Sequence, residues 1–413
     1  MPRSRSSGST RAPRAPRFLV AAIVLLLAAL TTISYLGACT SVFSASSSTR
    51  FDAAELSDRL APGIDPATGA PAEPARVTFA AVGDNLIHGA VYNAAATGDG
   101  GYDFTGFYAP CKPYIEDVDI AYINQETICA GTEFGLSSYP MFNSPTQVLD
   151  AVAATGFDWI STASNHAMDK FDAGVFAQLA HIRSLPLIAT GTHDSAEDAA
   201  TPKTIERNGV VFGLASYTYG LNGMELPADE PWLVDLIDAD KIAADVARLK
   251  EVSDVQIVSM HAGSEYVYQP NDEQLWLGQY LADLGVDVVV GTHPHVINPT
   301  TMLTGKDGNR TLCIYSLGNF LSAQDDPPRM LGEMARWTIS YDRFTNTVGI
   351  EDVELWPTVT HITPGFKSFG CYALKDYSAD LAATHELAGV GLSREQLCAL
   401  ASEVLGSEFS VVM

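Results

Sequence analysis

Four of the nine histidines sit in three short polar segments, Ala163–Asp169 (ASNHAMD), Ser259–Gly263 (SMHAG) and Gly291–His295 (GTHPH), each after an apolar, β-branched run. Asp84, in Val82-Gly83-Asp84-Asn85, follows a fourth such run, and Glu126, in Asn124-Gln125-Glu126, follows a fifth. Imidazoles, carboxylates and an amide gathered at successive strand ends are what a two-metal hydrolytic centre requires. The donors His261, His293, His295, Asp84, Glu126 and Asn165 include no thiolate. Such an oxygen and nitrogen set suits a divalent transition metal (Mn, Fe or Zn), two ions in all, better than Ca²⁺ or Mg²⁺. A carboxylate bridging ions about 3.5–4 Å apart could activate water for attack on a phosphoryl centre.

Taken singly, most of these residues also have ordinary readings. Asp84 could cap a helix over Asn85–Ala90, with Gly83 supplying the turn. Asn124 and Glu126 could form a polar loop, and His261 could be a packed core histidine. Asn165 could cap a helix. Its neighbour His166 can protonate a leaving oxygen, with Asp169 three residues on to orient the ring. His293-Pro294-His295 is harder to explain as packing, because side chains two apart on an extended segment face the same way. Glu265 and Tyr266 would line the pocket or support His261. The other histidines read as structural, His88 being the one nearest to a candidate ligand.

The elements that must position these groups alternate. Strand patterns cover residues 77–82, 120–123, 159–162, 185–189, 210–215, 255–260, 286–290 and 311–316, then 335–341 and 348–356 with no helix between the last two. Helical patterns cover residues 146–154, 172–185, 240–249 and 272–284, and Ser393-Arg394-Glu395-Gln396 is a helix-capping signal. This order predicts an α/β fold in which mixed sheets are flanked by helices, with the site at the carboxyl ends of strands.

Before Cys39 lie five arginines and no acid, then 13 apolar residues from Phe18 to Leu30. This reads as an export signal or an uncleaved anchor, with the body outside the membrane. Residues 40–75, rich in Ser, Ala, Pro and Asp, read as a tether, residues 76–375 as the folded domain and residues 376–413 as a helical tail. The chain has 24 Lys and Arg against 49 Asp and Glu, a net charge of −25, which disfavours nucleic acid as a partner. Cys111–Cys129 and Cys371–Cys398 are bridges if oxidised; five buried thiols are the alternative.

Leu36-Gly37-Ala38-Cys39 resembles a lipobox, which would make Cys39 a lipidation site. The series Gly83-Asp84, Asn124-Gln125-Glu126, Asn165-His166-Ala167-Met168-Asp169, His261–Tyr266, Gly291–His295 and Tyr315-Ser316-Leu317-Gly318-Asn319-Phe320 resembles the signature of the CapA family of poly-γ-glutamate capsule synthesis proteins. That resemblance implies a four-layer α/β sandwich of metallophosphoesterase type and attachment to the membrane. It also implies a role in making, exporting or anchoring poly-γ-glutamate or another anionic substrate, beside membrane-embedded synthase subunits. The wider superfamily implies metal binding by Asp84, Glu126 (bridging), Asn165, His261, His293 and His295, with His166 as proton donor. Asn124, Glu265, Tyr266 and Asn319 would support substrate or ligands. One departure is plain: the superfamily's Asp-x-His has Leu86 in place of its histidine. A non-catalytic accessory subunit and a phosphoesterase unrelated to capsule are the competing functions.

Overall fold

Runs rich in Val, Ile and aromatic residues become strands close to where their patterning places them, because β-branched side chains pack well on a pleated surface. The computed structural model describes residues 73–413. In chain order the strands are β1 (Ala75–Asn85), β2 (Ile120–Gln125), β3 (Trp159–Ser161), β4 (Ile188–Thr190), β5 (Lys203–Arg207), β6 (Val210–Thr218), β7 (Val255–His261) and β8 (Val288–Thr292). Next come β9 (Thr300–Thr304), β10 (Arg310–Ile314), β11 (Asn319–Leu321), β12 (Leu331–Asp342), β13 (Thr347–Ile362), β14 (Phe369–Ala373) and β15 (Ser410–Val411). The leader, Cys39 and nearly all of the tether lie outside the described residues. Among those described, no helix is long and apolar enough to cross a membrane.

Two mixed sheets result. The first runs β14-β13-β12-β1-β2-β3-β4, with β11 added beside β1 and β15 beside β13; the second runs β5-β6-β7-β8-β10-β9. β1 to β4 are parallel, and β12, β13 and β14 continue antiparallel. In the second sheet β6, β7, β8 and β10 are parallel between antiparallel edges. The sheets face one another: Phe79 of β1 meets Phe212 of β6 edge-on at 5.0 Å between centroids, and the Tyr122 hydroxyl is 2.6 Å from Ser259 Oγ. Within β7, Val255 and Ile257 join this central core. Val258 and Met260 pack on the other side with Ile242 and Val246 of the helix Ala239–Val252 and Leu277 and Leu281 of the helix Asp272–Asp283. A parallel strand buried on both faces is apolar throughout, which is why this one reads as a continuous run.

The strand expected over residues 185–189 begins three residues later. Leu185 still closes the turn that ends the helix Phe171–Ile182, its N–H bonded to Ile182 O at 2.9 Å, and Pro186 has no N–H to give a ladder. Edge strands β5, β9 and β14 had no strong sequence signal; β5 buries only Ile205, so its alternation is weak. Residues 376–413 carry the helix Arg394–Leu405, capped by Ser393 as the sequence signal indicates, and end in β15 alongside β13. Cys111, Cys129, Cys313, Cys371 and Cys398 are all free thiols, so the bridged alternative is not the one adopted.

Candidate metal centre

The centre is built where β1 to β3 of the first sheet and β7 and β8 of the second end side by side. Gly83 sits at a break in the β1–β2 register between Val82 and Asp84. A Cβ there would meet Gly318 O at 1.9 Å, so only glycine allows β1 to press against the turn before β11. The Asp84 N–H bonds to that same carbonyl at 2.8 Å, and its carboxylate is fully buried. Asp84 is therefore part of β1, not the cap of a following helix; the next helix, Gly89–Ala94, starts after His88.

Glu126 follows β2 and is buried, its carbonyl accepting from Ser164 Oγ at 2.6 Å. Asn165 and His166 lie in a turn after β3; the helix beyond begins at Phe171, so Asn165 caps nothing. His261 is the last residue of β7, with Nε2 2.9 Å from Asn165 Oδ1 and Nδ1 3.0 Å from Thr292 Oγ1. His293 and His295 follow β8 on a bent, not an extended, segment: their φ angles are 100° and 58°. Left-handed backbone at non-glycine residues stores strain and is found at functional sites. The two imidazoles still turn inward, His293 toward His261 (centroids 4.8 Å) and His295 toward Asp84 Oδ2 (3.1 Å) and Glu126 Oε1 (3.4 Å).

All six expected donors thus cluster together. Ligand atoms lie within 4.8 Å of one another in the triads Asp84–Glu126–His295, Glu126–His261–His293 and Glu265–His293–His295. Glu126 belongs to the first two. Both its carboxylate oxygens are buried without a hydrogen bond, as is His293 Nδ1. A buried carboxylate left in that condition is costly unless a cation compensates it. The residues present therefore fit a bound metal cation.

Electrostatics point the same way. Burial, reinforced by the neighbouring imidazoles, drives His261 far below the usual histidine range and His293 down to about 3, so both are neutral. Burial opposes protonation of His295 too, but Glu126 and Asp84 outweigh it and lift the ring to about 9. Burial raises the Glu126 carboxyl well above the carboxylate range.

His166 Nδ1 is 2.7 Å from Asp169 Oδ2, which also accepts the Phe142 N–H at 2.6 Å. Asn124 Nδ2 donates to Asp84 Oδ1 at 2.9 Å. Asn319 Oδ1 is 3.1 Å from His295 Nδ1, while its amide nitrogen bonds Gln324 Oε1 and Arg329 O. Tyr266 faces His295 (centroids 5.9 Å) and not His261, while Glu265 lies at the cleft mouth. Sequence reasoning missed Asn222, whose side chain contacts both Asn165 and His166, and Arg329; neither lies in a patterned segment. His88, left as structural, lines the cleft with His166 and His295.

Residues 78–324 match the family described as bacterial capsule synthesis protein PGA_cap. The chain belongs to that family. It is 31% identical over 170 residues to the PGA biosynthesis protein CapA of Bacillus subtilis, covering 41% of this chain and 43% of that one. Identity to the capsule biosynthesis protein CapA of Bacillus anthracis is 26% over 183 residues, 43% of each. The match thus spans less than half the length of these relatives. Among solved structures, the NAD nucleotidase of Haemophilus influenzae aligns over 81% of this chain and 64% of its own, with 10% identity and a TM-score of 0.44. A 5'-nucleotidase precursor of Thermus thermophilus aligns over 80% and 59%, with 11% identity and a TM-score of 0.44.

Proposed function

We propose that this capsule synthesis family member is a metal-dependent hydrolase, tethered by its N-terminus to the extracytoplasmic face of the membrane. It would cut a phosphoester, or the amide bonds of the γ-linked glutamate polymer itself, beside the membrane synthase subunits. The supporting observation is the pair of donor triads that share the orphaned Glu126 carboxylate. Asp84, Glu126 and His295 would hold one cation, and Glu126, Asn165, His261 and His293 the other. Cations there would supply Lewis acidity and an activated water.

The protein groups do the rest. His166, which lines the cleft with His295, would give a proton to the leaving atom from Nε2, because Asp169 holds its Nδ1. The Phe142 ring packs edge-on against His166 at 4.7 Å, and Asn222 braces it from the other side, which fixes its angle. Asn124 orients Asp84, and Asn319 orients His295.

One observation favours a second reading, a non-catalytic subunit that uses metal only to hold an anionic chain. Leu86, which lines the cleft, takes the place of the histidine that the metallophosphoesterase resemblance implies as a further ligand. The test is metal analysis of the purified chain after Mn²⁺ loading, followed by assay of a generic phosphodiester. Hydrolysis that vanishes in His166→Ala while metal stays bound supports the enzyme. Bound metal with no hydrolysis of phosphodiester or polymer selects the second reading.

A further inference from the structure

The cleft beside the candidate metal centre has a volume of about 830 Å³, within the range of ligand sites, and His295, His166 and Arg329 are among the residues that line it. Among the described residues, Arg329 is the only lysine or arginine in its wall. The guanidinium carbon lies 3.7 Å above the Tyr266 ring, and that ring in turn faces His295. Stacking on an aromatic face flattens and orients the guanidinium while leaving its edge free. The backbone beneath is fixed as well, since Asn319 donates to Arg329 O at 3.1 Å and also contacts His295.

Arg329 is underused by the fold. Its Nε is buried with no hydrogen bond, 3.5 Å from Asp326 Oδ2, and its terminal nitrogens have no hydrogen-bond partner among the described residues. An arginine fixed by stacking and paired with Asp326 only through Nε, with no hydrogen bond from its terminal nitrogens to the described residues, is organised for an anion that arrives from outside. The other charged groups in the wall, Glu265 and Asp325, are acidic. Together with Asp326 they repel a doubly charged phosphate more than a singly charged carboxylate. Tyr139, Phe142, Tyr266 and Phe366 supply apolar wall for methylene groups between charges.

We infer that Arg329, stacked on Tyr266, binds a carboxylate of an extended acidic chain and so selects carboxylate-bearing polymers as the ligand of this cleft. The guanidinium lies within roughly 10 Å of the His295 ring, a distance about three extended residues span. A chain held there places a neighbouring bond over the metal centre. This rests on the hydrolytic reading only for what happens to that bond; binding itself does not need it.

The test is fluorescence anisotropy of a labelled γ-linked glutamate oligomer with the full chain in detergent, at fixed ionic strength, both with Mn²⁺ and after chelation. Arg329→Gln should weaken binding about tenfold or more in both metal states, and Arg329→Lys by less, because charge persists without the planar fork. Asp326→Asn, which removes the competing carboxylate, should tighten it. Oligomer affinity unchanged in Arg329→Gln overturns the inference, as does Asp326→Asn binding no tighter if Arg329→Gln does not fold. Tripolyphosphate binding more tightly than the oligomer, through Arg329, overturns the choice of carboxylate. A protein that binds the oligomer through Arg329 but never hydrolyses anything sinks the hydrolase alone. A hydrolase whose oligomer affinity ignores Arg329 sinks this inference alone.

Discussion

The Glu126 carboxylate lies 3.4 Å from His295 Nε2, yet neither of its oxygens receives a hydrogen bond. The pair is close enough to share a proton and wrongly angled to bond well, which is the arrangement expected where a cation belongs between them. Glu126→Gln should therefore cost the metal-free protein little heat stability, because the carboxyl it removes receives no hydrogen bond and pairs only with His295. The same change should lower metal affinity by more than the roughly 10–100-fold typical of outer-sphere partners. Chelator competition and thermal unfolding, each with and without Mn²⁺, check both halves. A variant that loads metal like the parent would count against Glu126 as a bridge.

His166→Ala should reduce kcat by about 10²–10⁴-fold with metal content unchanged. Asp169→Asn should act in the same direction through the ring's orientation, and should also loosen the Phe142 segment whose N–H it holds. A pH profile of kcat/KM separates the two effects. Removing the acid abolishes the alkaline limb, whereas misorienting it only shifts that limb. Equal metal loss in both variants would instead make His166 a structural residue.

Leu86 is 2% exposed and lines the cleft beside His295. Leu86→His should add a donor to the set formed by Asp84, Glu126 and His295. Retention of the cation held by that set should improve on the order of tenfold, equivalent to about 1.4 kcal/mol. Metal stoichiometry during dialysis against chelator is the readout. No gain, in a variant that unfolds normally, would mean that position 86 does not face the cation site.

Away from the centre, His193 joins Asp235 (2.8 Å) and Asp198 (3.8 Å), while Lys241 pairs with Asp235 and Lys203 and Arg183 with Asp198. Burial opposes its protonation, but the two aspartates prevail and raise it from 6.5 to about 9. A raised pKa in the folded state means the protonated ring stabilises the fold fully below pH 6.5. That contribution fades as pH climbs through about 9. It is worth on the order of 2–3 kcal/mol at its largest. Unfolding titrations of the wild type and His193→Gln should differ most near pH 6 and converge above pH 9; a constant gap would assign the difference to packing.

Sequence alone went far with this chain because its parallel strands are buried on both faces. Such strands must be apolar throughout, so runs like Val255–Met260 and Val77–Val82 stand out, and the polar residues that end them are conspicuous. The α/β class, both sheets' central strands and the six polar residues that the fold brings together are therefore legible as text. Edge strands such as β5 are not, since one wet face dilutes the pattern. What the text could not supply is direction. It offered an extended His293–His295 segment, where the chain is bent with positive φ, and it left Tyr266 between lining the pocket and supporting His261, where the ring lines the cleft and faces His295. It gave no hint that Arg329, 34 residues beyond His295, returns to the same cleft. Residue type and local period are properties of the sequence. The meeting of side chains from β1, β2, β7 and the turns between two sheets depends on long-range packing, which only the folded chain decides.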